Sequence, residues 1–181
     1  NVVGDGGSGT HSGDGGPASA AGISLFGGFT IDNDGNLYII EHGNPLTSHV
    51  ASWIRKVNNA GIISTIAGGD TTGALGDGGP ATAASFDAAD VVAGSGGNIY
   101  FTDHLGNRIR KINPAGIIST IAGNGIAGDT GDGGPATDAQ VTMPVAIAAD
   151  AVGNIYFMDA PDPLNLMRNV IRKISTAGVI S

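Results

Sequence analysis

Glu41-His42 and Asp103-His104 are the residue pairs with the most direct chemistry in the sequence. A carboxylate beside an imidazole can ligate zinc or move protons, so His42, His104, Glu41 and Asp103 form a candidate metal set. The same position recurs a third time as Asp159-Ala160, so at most two copies contribute a histidine. A second set is acidic. Asp5, Asp14, Asp70, Asp77, Asp129, Asp132 and Asp138 lie in or follow Gly-rich loops that contain no Lys or Arg. Such loops suit a cationic ligand, a hydroxyl-rich glycan or a hard ion such as Ca²⁺, although Asp and Gly are also ordinary turn formers. His11 and His49 fall in loops at the same end. Trp53 and Met167 flank two long segments there and are candidates for an apolar contact, with Asp162 in the second of those segments.

Other chemistries are excluded. There is no Cys, hence no thiolate nucleophile or thiolate metal site, and no GKS/GKT loop, GxSxG elbow or HExxH pair. Gly4–Gly9 and Gly123–Gly128 match GxGxxG but open no helix of a βαβ unit. Asp32-Asn33-Asp34-Gly35-Asn36 starts like a calcium loop, yet no glutamate follows at the required place, so it reads as a hairpin turn. With 16 acidic against 8 basic residues the net charge is −8, which disfavours a phosphate backbone as partner. No apolar run is long enough to be a membrane span.

The elements that carry these residues repeat. GDGGPA occurs at Gly13–Ala18, Gly76–Ala81 and Gly131–Ala136. A Gly-Asn-apolar-Tyr string follows at Gly35–Tyr38, Gly97–Tyr100 and Gly153–Tyr156, and an apolar-Arg-Lys-apolar string at Ile54–Val57, Ile109–Ile112 and Ile171–Ile174. AGIISTIAG closes two units, at Ala60–Gly68 and Ala115–Gly123. The units are about 1–64, 65–119 and 120–181, so the sequence reads as three whole periods cut within a strand. Each period predicts four strands, in the first unit a near Gly28–Asp32, b at Asn36–Ile40, c at Ser52–Val57 and d at Ile62–Ala67. The fold class is therefore all-β, a β-propeller of four-stranded antiparallel blades, with three blades here as half of a six-bladed ring.

Together these strings resemble the NHL-repeat family of β-propellers, over all three units. The resemblance implies the propeller fold and a spread of roles: extracellular adhesion and sensing, RNA binding, and lyases or hydrolases with a metal on one face. The sequence departs from the family in the longer b–c segments of units one and three, and in unit two, where Gly94 replaces the Asp that closes strand a. Length variation confined to one face points to binding loops on a rigid frame.

The leading expectation is a non-catalytic extracellular or surface interaction module. It would hold a protein or glycan partner through His42, His49, Trp53, Asp70, Asp129, Asp162 and Met167. One alternative is a metal-dependent propeller enzyme of lyase or hydrolase type, with Ca or Zn over the central channel on His42, His104, Glu41 and Asp103. Another is a structural subunit of an extracellular assembly. Three blades cannot close a ring, so further blades, from the same chain or another copy, are expected partners. Arg55, Arg110 and Arg172 are expected to bridge Glu41, Asp103 and Asp159, and the GDGGPA aspartates to form Asx-turns or helix caps.

Overall fold

The computed structural model describes residues 2–6, 9–43, 52–69, 72–159 and 170–181. Alternating apolar runs and Asn/Asp/Gly turns give three successive antiparallel sheets. The first holds β1 (Leu25–Ile31), β2 (Leu37–His42), β3 (Ser52–Val57) and β4 (Ile63–Gly68) in chain order. The second holds β5 (Ala88–Ala93), β6 (Ile99–Asp103), β7 (Arg108–Ile112) and β8 (Ile118–Ala122). The third holds β9 (Ala146–Ala149), β10 (Ile155–Asp159) and β11 (Val170–Ile174), and an Ile174–Ile180 bridge begins a fourth strand.

The turns follow from their side chains. Asp32 Oδ1 accepts the N–H groups of Asp34 and Asn36, which closes the β1–β2 hairpin with Gly35 at φ +82°. Asn58 and Asn113 close the β3–β4 and β7–β8 turns in the same way. β1 starts earlier than its sequence predicts because a bulge at Gly27-Gly28 lets pairing resume from Phe26 to Leu25. Gly28 is also a contact point: a Cβ there would strike the Asp90 carboxylate of β5. That carboxylate accepts the Ile147 N–H of β9 at 3.0 Å. One aspartate thus joins the neighbouring inner strands β1, β5 and β9.

Sheets stack face to face as propeller blades do. Ile40, Ile54 and Ala67 of the first pack with Val91, Phe101 and Ile118 of the second. Ile109 and Ala122 of the second pack with Ile147, Phe157 and Ile174 of the third. Among the described residues, the outer faces of the arc have no such cover. Phe29 is 69% exposed, while its counterparts Val91 and Ile147 are 3% and 9%. Ile171 is 73% exposed, while Ile54 and Ile109 are fully buried.

The GDGGPA strings need one correction. Each leads into a single 3-10 turn (Ala18–Ala20, Ala81–Ala83, Ala136–Asp138) that buries its first alanine, but Pro17, Pro80 and Pro135 precede these turns with no side-chain cap. Asp14, Asp77 and Asp132 lie too far upstream to cap and turn instead toward the strand-c arginines.

Candidate functional site

The carboxylates and arginines common to the three blades meet at one end, where β2, β6 and β10 finish and the Gly-rich loops cross. In the first blade Arg55 Nη1 donates to Glu41 at 2.8 Å, and Nη2 donates to Asp14 at 2.6 Å and to the Ser12 carbonyl. Arg110 spans Asp103 at 3.3 Å and Asp77 at 2.9 Å, and also donates to the Leu75 carbonyl. Arg172 spans Asp159 at 3.0 Å and Asp132 at 2.6 Å. Each guanidinium is buried, so each clamps a strand-b carboxylate to the loop that precedes strand a. The remaining carboxylate oxygen accepts a backbone N–H at the entry to strand a: Ser24 for Glu41, Asp87 for Asp103 and Thr142 for Asp159.

The three clamps differ in proton affinity. Burial pushes the Glu41 carboxyl up, but hydrogen bonds from His11, Ser24 and Arg55 outweigh it and hold the group below its usual range. Asp14 is also held low: burial acts upward, and hydrogen bonds from Thr65 and Arg55 prevail. Burial wins at Asp103 and Asp159, whose carboxyls are pushed up despite Arg110 and Arg172. The 3.3 Å bridge of Asp103 is the longest of the three strand-b contacts, in keeping with this weaker compensation.

These contacts bear on the candidate metal set. Glu41 has both oxygens engaged, by Ser24 on one side and by His11 and Arg55 on the other, and Asp103 is held by Asp87 and Arg110. His42 bonds Ser52 through Nδ1 at 3.2 Å, with its Nε2 over the Gly27 backbone. His104 keeps a buried Nδ1 with no hydrogen-bond partner among the described residues. Among the described residues no three His, Asp or Glu side chains stand together as metal ligands.

His11 and Trp53 form a pair that the sequence did not announce. Their rings stack at 4.3 Å, the imidazole bridges Glu41 and Thr65, and the indole lies on the Gly69 backbone. Trp53 therefore packs the first blade's crossing loop. Asp129 is exposed in the loop before the third blade. His49, Asp70, Asp162 and Met167 lie outside the described residues.

Asp87 and Leu105 were not singled out in the sequence, since neither sits at a repeated position of one residue type. They flank a recess of about 290 Å³ on the loop end of the second blade, with Leu75, Phe86 and Asp103 as its other main walls. Leu105 is 67% exposed and Asp87 half-buried, an apolar lip beside an acid. This recess and the two histidine positions constitute the candidate site.

No protein-family model matches the chain. Solved structures do. A Bacteroides thetaiotaomicron protein of unknown function is 17% identical, with a TM-score of 0.57 over 86% of this chain and 34% of that one. A gluconolactonase from Xanthomonas campestris is 11% identical, with a TM-score of 0.56 over 88% of this chain and 46% of that one. The virginiamycin B lyase of Staphylococcus aureus is 22% identical, with a TM-score of 0.48 over 86% of this chain and 40% of the lyase. The chain thus spans under half the length of each. Stacked four-stranded sheets around inner strands, together with the first two likenesses, define the class: the chain is an arc of a β-propeller.

Proposed function

We propose that the chain is a ligand-binding part of a propeller and that it holds a protein or glycan partner on the loop end. One observation carries this reading: the repeated carboxylates and arginines neutralise one another inside the blades, so the side chains that remain for a ligand are the unrepeated ones around the recess. Asp87 and Leu105 are of this kind; His42 and His104 follow the clamp carboxylates at the ends of β2 and β6, and Asp129 is exposed in the loop before the third blade. The NHL resemblance belongs to this reading, as do a secreted or surface setting, suggested by the Asp-, Gly- and Thr-rich composition, and further blades against Phe29 and Ile171.

A second reading is an enzyme whose centre lies over the channel and is completed by other blades. It draws support from neighbours that are lyases and gluconolactonases, more than those neighbours support a pure scaffold. In it, His42 and His104 would be this chain's ligands or proton carriers, with Zn or Ca supplied from solution.

Calorimetric titration of the chain with a glycan panel and with Zn²⁺ and Ca²⁺, run beside lactone-hydrolysis and lyase assays, separates the two. Saturable glycan binding lost in Leu105→Asp, without stoichiometric metal, is the expected outcome. Metal-dependent turnover lost in His42→Ala and His104→Ala would establish the second reading instead.

A further inference from the structure

In the first and third blades, the strand-b tyrosine and strand-c lysine are satisfied at home. Tyr38 donates to Asp32 at 3.0 Å, with the Lys56 ammonium 5.5 Å from its ring centre. Tyr156 donates to Asp150 at 3.2 Å, with Lys173 at 5.9 Å. The second blade keeps the pair, as Tyr100 and Lys111, but has Gly94 where the others have aspartate. Any side chain at Gly94 would strike the Tyr100 ring. Among the described residues neither the Tyr100 hydroxyl nor the Lys111 ammonium has a hydrogen-bond, ion-pair or ring partner. The surroundings agree: Tyr38 is pushed up to about 12 by burial and by its aspartates, whereas burial alone raises Tyr100.

Both residues line a groove of about 520 Å³ between the second and third blades, at the end opposite the crossing loops. Its walls add Ser95, Thr120, Thr137 and Thr176, and among the described residues no Asp or Glu lines it although the chain carries −8. Thr120 already donates to Asp77, so it faces a ligand as an acceptor. The volume falls within the usual range of small-molecule sites.

We infer that this groove binds a small hydroxyl-rich carboxylate, of the chemical class of a uronate. Its carboxylate takes the role that Asp32 and Asp150 play for the other two tyrosines. Lys111 supplies the charge, Tyr100 a donor to the same carboxylate, and the Ser and Thr hydroxyls pair with the sugar hydroxyls. The site is independent of the loop-end reading, because it lies at the other end and shares no residue with it.

The test is a heteronuclear NMR titration of the chain with glucuronate, with methyl glucoside and inorganic phosphate as parallel arms. Glucuronate is expected to shift the Tyr100, Lys111 and Ser175 region saturably. Affinity should fall about tenfold in Lys111→Gln and measurably in Tyr100→Phe, and stay unchanged in Lys56→Gln, the matched control in the first blade. Four results would overturn the inference. They are no saturable shift up to about 10 mM, shifts that map elsewhere, equal binding of the neutral glucoside or of phosphate, and full affinity in Lys111→Gln.

Discussion

At the scale of single residues, Arg55, Arg110 and Arg172 organise the molecule, because a buried guanidinium left without its carboxylates is costly. The clamps also make the blades unequal toward acid. Glu41 and Asp14 are held below their ordinary values of 4.5 and 3.8, so their ionised forms favour the folded state. That contribution is complete above those values and is lost as pH falls through the lowered ones. Asp103 and Asp159 are raised, so the folded state binds their protons more tightly, and their contribution declines as pH rises through the raised values. Among the clamps, acid sensitivity is therefore concentrated in the first blade. Thermal melts between about pH 3 and about pH 7 should show a flatter acid limb in Glu41→Gln, with a loss of about 3 kcal/mol at neutral pH. Asp103→Asn should instead steepen the acid limb, because the raised carboxyl it removes opposes that limb. The expected bridges between Glu41, Asp103, Asp159 and the arginines were legible because both partners repeat in register. The third partner, from GDGGPA, was not, since its distance across the loop is set only when strand c lies beneath it.

Among the elements, the crossings from strand d to the next strand a carry the tightest backbone approach. Gly68 and Gly123 both sit at φ near +88° (+87° and +88°), and a Cβ at Gly123 would collide with the Asn107 carbonyl of the neighbouring b–c turn. Gly133 has a similar φ of +85° but open space around it. Gly133→Ala should thus cost about 1 kcal/mol for the left-handed backbone alone. Gly123→Ala should cost clearly more, because the turn must also move. Urea denaturation of the two variants checks the ordering. The strands themselves were readable to within a few residues from period and turn chemistry. The start of β1 was not, because the Gly27-Gly28 bulge answers to the approach of Asp90 from the next blade.

For the whole molecule, burial is graded along the arc. The second blade is covered on both faces, whereas the first and third each leave one apolar face open, as Phe29 and Ile171 record. Local opening free energies follow such burial. Amide exchange should therefore be slowest in β6 and β7 and fastest in β1 and β11. A covering of Phe29 and Ile171 by further blades would abolish the difference, which makes the same measurement a probe of completion.

Sequence alone determined the repeat, the strand order, the turn chemistry and the pairing of carboxylates with arginines, because all of these depend on neighbours within one period. Tertiary structure decided which of those polar groups are engaged. Glu41 and Asp103 are bound up in the clamps, His11 and Trp53 hold one another, and Tyr100 and Lys111 are left facing a groove. The physical reason is distance: each outcome depends on a contact between loops or blades that lie far apart in the chain, where a single glycine such as Gly94 decides what remains unpaired.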